Sequence, residues 1–283
     1  MTDPAPTVSV VTDSSCDLPG ELADELGITV VPLTVRFGAE EFVDGKDLTT
    51  AQFWDRCAAS PTLPETAAPS PGAFEEAYRK ADRGAGVVAV CLSGGLSATV
   101  QSARLAAEAL RAEIDVRVID SRQASGGLGI IAVTTARRAA TGATLDDVAA
   151  CAEDQVPRTR LFATFDTLDN LRKGGRIGRA QAFFGSVLSM KPVIQLVNGE
   201  VEAESRQRTR SKSLRYLAEK VREAGNVEHL LLLHADAPDY EDLLTMLEEF
   251  APREEIIVTK VGAVIGTHSG PRAMGVIFQI RAS

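Results

Sequence analysis

Short apolar runs rich in β-branched residues alternate with helical segments along the first half of the chain, and this order restricts the fold more than any other feature. A polar turn or a glycine-containing loop follows most of these runs. Helical patterns begin after them, as at Ser70-Pro71, where a hydroxyl N-cap precedes proline at the first helical position. Such alternation is typical of a mainly parallel sheet covered by helices. The predicted strands are residues 8–11, 28–37, 87–92 and 116–119.

The second half of the chain mixes hairpin and crossover signals. Asn198-Gly199 lies between two apolar runs and is the strongest hairpin signal in the sequence. We therefore predict an α/β protein of two domains, with a parallel-sheet α/β sandwich over residues 1–155 and a two-layer α+β domain over residues 156–283. Its predicted strands are residues 161–165, 193–197, 201–205, 230–233, 256–261 and 276–280, and its predicted helices are 168–172, 182–190, 211–223 and 239–250.

Composition excludes several classes of protein. The net charge of −9 argues against a general nucleic-acid binder, which needs a surplus of cations to neutralise phosphates. No apolar run reaches the ~18–20 residues of a membrane span. Residues 1–7 are polar and proline-containing and do not resemble a signal peptide. The four cysteines are far apart and form no CxxC pair, which is typical of reduced thiols, so we predict a cytoplasmic protein.

The basic residues are concentrated in two windows. Residues 170–199 and 205–218 together carry ten Lys or Arg side chains and no acidic one. In an acidic protein, a concentrated basic region indicates contact with an anionic partner or ligand. A solvated helix face plus a loop explains the same pattern equally well, and the sequence leaves both interpretations open.

The usual catalytic and metal-binding motifs are absent from the sequence. It contains no GxSxG elbow, P-loop, HExxH or GxGxxG motif, and it has three histidines without a Cys, His or Asp cluster at ligand spacing. We therefore expect neither a metal nor a cofactor. His229 and His234 flank a predicted strand, whereas His268 lies in a glycine-rich segment that we predict to be a loop between two strands. His268 is a candidate site residue, and a purely structural role is the alternative.

Hydroxyl-rich clusters follow three of the predicted parallel strands: residues 12–15, 93–99 and 120–125. The carboxyl ends of parallel strands meet at one edge of a sheet, so these loops are expected to converge. They offer hydroxyl donors without a nucleophile–base pair, which suits an anionic head group held by neutral hydrogen bonds. Ser97 or Thr99 can instead cap the following helix. Asp13 and Asp120 would repel an anion, so we expect them to brace backbone N–H groups or hydroxyls behind the site.

Seven motifs in a common order make the chain resemble the DegV family of bacterial fatty-acid-binding proteins, the acyl-binding subunits of fatty acid kinase. The resemblance runs from about Val8 to Ile280. The motifs are Thr12-Asp13-Ser14-Ser15, Thr66-Ala67-Ala68-Pro69-Ser70-Pro71-Gly72, Leu92-Ser93-Gly94-Gly95-Leu96-Ser97-Ala98-Thr99, Asp120-Ser121, Leu171-Arg172-Lys173-Gly174-Gly175-Arg176-Ile177-Gly178, Met190-Lys191-Pro192 and Ile265-Gly266-Thr267-His268-Ser269-Gly270-Pro271.

The resemblance implies a fatty acid buried between and within two α/β domains. Its carboxylate would be held by Thr66, by Ser93 or Ser97, and by His268. The tail would need an apolar tunnel, and residues 128–133 and 182–194 are candidate walls, although ordinary core packing is the alternative for most of them. The supporting residues behind the carboxylate would be Asp13, Ser14, Asp120 and Ser121.

Two departures from the family pattern concern the predicted head-group site. Ala67-Ala68 stands where the family often has Ser-Gln, which removes two polar side chains. Gly270-Pro271-Arg272 replaces Gly-Pro-Gly after the histidine and adds a charge close to the site. We expect these changes to affect the hydration of the carboxylate, the docking of a partner or the choice of ligand.

The resemblance implies a lipid-binding subunit without turnover of its own. Such a protein presents the fatty acid to a separate ATP-dependent kinase, and an acyltransferase of phospholipid synthesis uses the resulting acyl phosphate. Arg176, together with Arg208 and Arg210, would support that step and the docking of the kinase. Two other functions fit the residues: an enzyme or sensor for a small phosphorylated metabolite, with His268 as acid or base, and an interaction module whose basic region binds an acidic protein.

Overall fold

Three β-sheets and the helices packed on them form the structure, a computed structural model that describes residues 7–60, 62–183 and 190–282. Its strands are β1 (Thr7–Asp13), β2 (Thr29–Val31), β3 (Thr34–Phe37), β4 (Glu40–Val43), β5 (Glu65–Ala67), β6 (Gly84–Cys91), β7 (Val116–Asp120), β8 (Thr159–Thr164), β9 (Lys191–Val197), β10 (Glu200–Gln207), β11 (Val227–His234), β12 (Ile257–Lys260) and β13 (Met274–Ile280). Its α-helices are α1 (Gly20–Glu25), α2 (Thr50–Ala59), α3 (Pro71–Ala81), α4 (Thr99–Leu110), α5 (Gly126–Ala140), α6 (Leu145–Gln155), α7 (Asp169–Lys173), α8 (Arg210–Ala224), α9 (Tyr240–Leu247) and α10 (Ala263–Ser269).

The first sheet is parallel, in the order β2-β1-β6-β7, as the alternation of strands and helices predicts. Side chains along β6 alternate between its two faces. Val87 and Ala89 pack with α3 and α4, whereas Val88 and Val90 belong to the core that contains α5 and α6. Both faces are therefore covered, which explains why the strands are apolar along their whole length.

The second sheet has six strands in the order β10-β9-β8-β13-β11-β12, antiparallel except for the pair β11–β12. The predicted hairpin is confirmed, with Asn198 at φ 51° and Gly199 at φ 85° in the turn between β9 and β10. Phe162 and Val276 face the core under α8 and α9. Leu161 and Ile277 face the opposite way and pack in the core that includes α5.

Helix α5 lies between the two large sheets. It contacts β1 and β6 of the parallel sheet as well as β8, β11 and β13 of the mixed sheet. Leu128, Ile130 and Ile131 are almost completely buried there. The predicted α/β fold is confirmed, with a parallel sheet in the first half of the chain and a mixed sheet in the second half. The proposed boundary at 155/156 coincides with the end of α6, and the division into two domains stays a prediction because one core is shared by both sheets.

A small antiparallel sheet in the order β4-β3-β5 is absent from the sequence-based prediction. Residues 28–37 were predicted as one strand, but they form β2 and β3, which belong to different sheets. Pro32 lies between them and cannot donate a ladder hydrogen bond, so the pairing breaks there.

Two further expectations concern single segments. In the predicted helix 182–190, residues 184–189 lie outside the described residues, and residues before them belong to a 3₁₀ helix, Gly178–Phe183. Among the helices that the structure describes, none is long and apolar enough to span a membrane.

Candidate functional site

A largely apolar cavity of about 200 Å³ lies between the mixed sheet, the glycine loop after β6 and helix α10. One ordered water needs only ~10–15 Å³ of such space, so the cavity is large enough for an organic molecule. Both halves of the chain contribute residues to its walls. The mixed sheet supplies Leu161, Ala163, Ile194, Leu196 and Leu233, and the loops after the parallel strands supply Leu92, Leu96 and Ala124.

Polar side chains gather around one part of this cavity. Thr66 and Ser97 come from the small sheet and the glycine loop, and His268 and Ser269 come from the end of α10. The Thr66 hydroxyl and His268 Nε2 are 2.9 Å apart and share a hydrogen bond. Four segments far apart in sequence thus bring hydroxyls, an imidazole and the guanidinium of Arg176 to one place.

His268 lies in the last turn of α10, and the prediction of a loop at this position is wrong. The helix forms because Ala263, Val264 and Thr267 pack against neighbouring elements and are buried, and Thr267 Oγ1 donates to the Ala263 carbonyl. Glycine at position 174 permits a close approach, since a Cβ there would be 2.4 Å from His268 Nδ1. The histidine is therefore fixed between the end of α7 and β5.

Burial, with a smaller contribution from the nearby Arg176 cation, lowers the pKa of His268 to about 4. The imidazole is therefore neutral at physiological pH. Its Nδ1 is buried and has no hydrogen-bond partner among the described residues. A neutral imidazole beside hydroxyls can act as a hydrogen-bond donor to an anion without carrying a charge.

The two candidate serines of the glycine loop occupy different environments. The Ser93 hydroxyl is buried, donates to the Gly199 carbonyl at 2.7 Å and accepts from the Gly95 N–H. It is not among the side chains that line the cavity, whereas Ser97 is. Ser97 also accepts a hydrogen bond from the N–H of Thr99, the first residue of α4, so it lies just before that helix and lines the cavity.

The residues predicted to lie behind the site join the loops to one another. Asp13 accepts from the Leu92 N–H at 2.8 Å and from Ser15, and burial raises its pKa. Asp120 accepts from the N–H groups of Gly94 and Arg122, and Ser14 accepts from the Leu33 N–H. Ser121 exchanges hydrogen bonds with Gln123 within its own turn. None of the four side chains lines the cavity, and their support of a ligand stays a prediction.

Arg176 is the basic residue that reaches the cavity wall. Its Nε donates to the Leu96 carbonyl at 3.1 Å and one terminal nitrogen donates to the Gly174 carbonyl at 2.7 Å. The guanidinium therefore connects the glycine loop to the turn after α7, and no carboxylate within the described residues pairs with it in an ion pair.

Acidic side chains from other segments partly neutralise the two basic windows. These pairs could not be predicted from the positions of the residues in the sequence. Arg179 pairs with Glu202, Lys191 with Asp166, and Arg210 with Asp239 at 2.8 Å. Arg208 is exposed, at the junction between β10 and α8. Of the ten cations in the two windows, Arg176 is the one that lines the cavity.

The departures from the family pattern have separate locations. Ala68 lines the cavity and Ala67 is exposed, so only one of the two replaced positions borders the cavity. Arg272 donates to Asp166 at 2.9 Å and does not line the cavity. Its charge is therefore opposed by a carboxylate, although it follows the histidine closely in sequence.

Sequence reasoning missed three residues near the cavity. Ser125 and Ser269 line it, and Asp17 hydrogen-bonds to Ser125 from behind the wall. Ser125 lies in one of the hydroxyl-rich clusters, so its position after a strand was an available signal. Asp17 offered none, because its partners Ser125 and Gly262 are more than a hundred residues away.

The candidate tunnel walls also differ from expectation. Residues 128–133 do not line the cavity and belong to the buried core of α5, so ordinary packing is the correct interpretation for them. From the segment 182–194, Ile194 borders the cavity, and part of that segment lies outside the described residues. Within the described parts of the chain, no group of three or more His, Cys, Asp or Glu side chains is arranged to hold a metal ion.

The comparisons with known proteins agree over nearly the whole chain. The model of the family described as "Uncharacterised protein, DegV family" matches residues 7–281. A DegV domain-containing protein of Streptomyces coelicolor is 38% identical over 280 residues, which cover 97% of this chain and 99% of the relative. The chain belongs to the DegV family.

Solved structures of DegV proteins share the fold. A DegV family protein from Thermus thermophilus, described as binding fatty acid, superposes with a TM-score of 0.89 at 33% identity and covers 97% of this chain and 100% of its own. A DegV family protein from Eubacterium eligens, loaded with heptadecanoic acid, has a TM-score of 0.83 at 25% identity, with 97% and 100% covered.

Proposed function

We propose that the protein binds a long-chain fatty acid, with the acyl chain in the apolar cavity and the carboxylate at Thr66, Ser97 and His268. The observation that carries this proposal is that one cavity combines apolar walls with a cluster of neutral hydrogen-bonding groups. The fatty-acid binding described for the Thermus thermophilus and Eubacterium eligens DegV proteins supports it.

The chemistry of the polar cluster suits a carboxylate better than a phosphate dianion. Two hydroxyls and a neutral imidazole provide a few directed hydrogen bonds, while Arg176 supplies one nearby cation. A small phosphorylated metabolite would leave the many leucine, valine and isoleucine walls in contact with water. Burying an acyl chain there instead contributes ~0.8 kcal/mol per CH₂ group. We therefore favour the fatty acid over the metabolite.

Of the two serines in the glycine loop, we propose Ser97 as the direct contact and Ser93 as a positioning residue. Ser93 already donates to the Gly199 carbonyl, so its hydrogen is committed to the turn between β9 and β10. Ser14, Asp13, Asp120 and Ser121 would keep the loops in register behind the ligand.

The test of ligand identity is mass spectrometry of protein purified from a bacterial host. Denaturing conditions should release a long-chain fatty acid, and the delipidated protein should take up an added one. Release of a phosphorylated metabolite, or failure to take up any fatty acid, would contradict the proposal. Thr66→Val removes a hydroxyl at nearly constant volume and is expected to weaken uptake roughly tenfold, as the loss of one hydrogen bond to a charged group does. Thr62→Val, at an exposed position that does not line the cavity, is the matched control.

We further propose that the protein has no turnover of its own and presents the fatty acid to an ATP-dependent kinase, whose acyl-phosphate product serves a phospholipid acyltransferase. Arg176, which lines the cavity without a carboxylate partner among the described residues, would stabilise the charge that develops on the acyl phosphate. Arg208 and Arg210 would contribute to docking, although Arg210 must do so beside Asp239.

The kinase step is tested by adding ATP and a cognate kinase to the loaded protein. Arg176→Ala should leave fatty-acid uptake intact and slow acyl-phosphate formation, because the cation acts on charge that appears during the transfer. Arg83→Ala, an exposed arginine at the beginning of β6, is the control and should change neither quantity. Equal loss of uptake and of acyl-phosphate formation in Arg176→Ala would refute this division of roles.

A further inference from the structure

Ser125 places a hydroxyl on the cavity wall at a distance from the head-group cluster. It precedes α5 and lines the cavity together with apolar residues such as Leu233 and Val261. Its oxygen is 2.5 Å from Asp17 Oδ2, and Asp17 Oδ1 accepts the Gly262 N–H at 2.9 Å. Gly262 immediately precedes α10, whereas His268 lies in the last turn of that helix. Six residues of helix separate the two places by ~9 Å.

The hydrogen bonds of Asp17 leave part of the Ser125 hydroxyl unused. Burial raises the pKa of Asp17, and the hydrogen bonds from Ser125 and Gly262 oppose this rise. The Ser125 hydroxyl donates to Asp17 Oδ2, and the Gly262 N–H donates to Asp17 Oδ1. The lone pairs of the Ser125 oxygen have no donor among the described residues, so they can accept a hydrogen bond from a ligand.

The backbone at Ser125 is held in a conformation that L-residues rarely adopt, with φ 52° and ψ −141°. Such strain persists only where the surroundings over-determine it, and it is concentrated at functional sites. A glycine would adopt these angles freely, so the serine adds a hydroxyl to the wall at a cost in backbone energy. Neighbouring Gly126 and Gly127 show that the chain already uses glycine at this turn.

We propose that Ser125, positioned by Asp17, is a specificity-determining residue that hydrogen-bonds an oxygen substituent carried part-way along an acyl chain. The inference rests on the proposed function, in which the acyl chain of a fatty acid with its carboxylate at His268 occupies the cavity that Ser125 also lines. The ligand class is then a hydroxy-fatty acid, whose hydroxyl can donate to the Ser125 oxygen. A plain acyl chain offers no donor to that oxygen, whose own hydrogen stays bonded to Asp17.

The test compares delipidated wild-type protein with octadecanoic acid and with a series of octadecanoic acids hydroxylated at successive mid-chain carbons. At one or two adjacent positions we expect about five- to tenfold tighter binding than for the parent acid, the effect of one hydrogen bond. Ser125→Gly should remove this preference while retaining octadecanoic acid, and glycine suits the positive φ at this position. Ser211→Ala, which changes an exposed serine of α8, is the control and should preserve the preference.

The outcomes separate this inference from the proposed function. Wild-type protein that binds octadecanoic acid but shows no preference for any hydroxyl position overturns the inference alone. So does a preference that persists unchanged in Ser125→Gly. Wild-type protein that binds neither octadecanoic acid nor any member of the series overturns both the inference and the proposed function.

Discussion

At the scale of the residue, the site depends on a histidine that is kept neutral. His268 is enclosed by the end of α7 and by β5, with Arg176 nearby, and its pKa falls to about 4 as a result. The neutral imidazole shares a hydrogen bond with Thr66 and leaves no buried charge in the cavity wall. The free energy of unfolding of the delipidated protein should therefore depend on pH through His268.

Replacing His268 with glutamine should make the stability of the delipidated protein less sensitive to acid. In the unfolded chain the histidine has an ordinary pKa of ~6.5 and gains its proton as the pH falls below that value, whereas the folded protein resists until about pH 4. The wild-type protein should therefore lose up to ~3 kcal/mol relative to His268→Gln between pH 7 and pH 4.

Urea unfolding of both proteins across this pH range measures the difference. Other groups, including Asp17, titrate equally in the two proteins and cancel. Bound fatty acid should reduce the difference, because its carboxylate favours the imidazolium. A difference that does not change with pH would contradict the assigned environment of His268.

At the scale of the element, the loop after β6 is hydrogen-bonded by residues from both halves of the chain. Asp13 and Asp120 bind its N–H groups from the parallel sheet, while Gly199 and Arg176 bind it from the other side. Ser97 gains its place on the cavity wall from these four contacts. The loop is therefore more sensitive to a change of backbone than its exposed glycines suggest.

Gly95→Ala should lower both stability and fatty-acid uptake. A Cβ at position 95 would lie 2.6 Å from the Gly199 carbonyl oxygen, so the loop or the β9–β10 turn must move. Overpacking of this kind costs ~1–3 kcal/mol, and the movement displaces Ser97. Gly72→Ala is the matched control, since its nearest neighbour would be Ser70 Oγ at 3.8 Å and alanine favours the helix α3. Thermal unfolding should move in opposite directions in the two variants, and a Gly95→Ala protein with unchanged uptake would refute the role of the loop.

Elements with a local signal could be predicted from the sequence, and those set by distant contacts could not. The N-cap at Ser70 and the turn at Asn198-Gly199 depend on a few neighbouring residues and are as predicted. The helix at His268 was not, because three glycines and a proline within and beside it favour a loop, and its packing against β3, β5 and α2 overrides that preference.

The candidate site shows the same division. Its hydroxyl-rich loops follow strands and could be located from the sequence, since parallel strands bring their carboxyl ends together. The choice between Ser93 and Ser97 could not be made, because it depends on the Gly199 carbonyl of another sheet. Asp17 was missed for the same reason, and three of the ten cations in the basic windows pair with acids that are adjacent only in three dimensions.

At the scale of the whole molecule, α5 makes the two sheets depend on each other. One hydrophobic core includes Val88 of the parallel sheet, Leu128 of α5 and Ile277 of the mixed sheet. The cavity is bounded by the same two layers, so a ligand in it contacts both at once. Loss of either layer would expose one side of α5, whose side chains are buried nearly all around. Folding and ligand binding are therefore expected to be properties of the whole chain.

Unfolding should accordingly be a single transition that bound fatty acid shifts as a unit. Trp54, the one tryptophan of the sequence, extends from α2 toward Gly266 of α10 and donates to the Val261 carbonyl, so its fluorescence reports on the cavity region. Far-ultraviolet circular dichroism reports on all helices. The two signals should change at the same urea concentration in the delipidated protein, because α5 cannot lose one sheet and stay buried. Fatty acid at a hundred times its Kd should stabilise the protein by ~2.7 kcal/mol and move both signals together. Two separate transitions, or a ligand-induced shift in the fluorescence alone, would show that the halves fold independently.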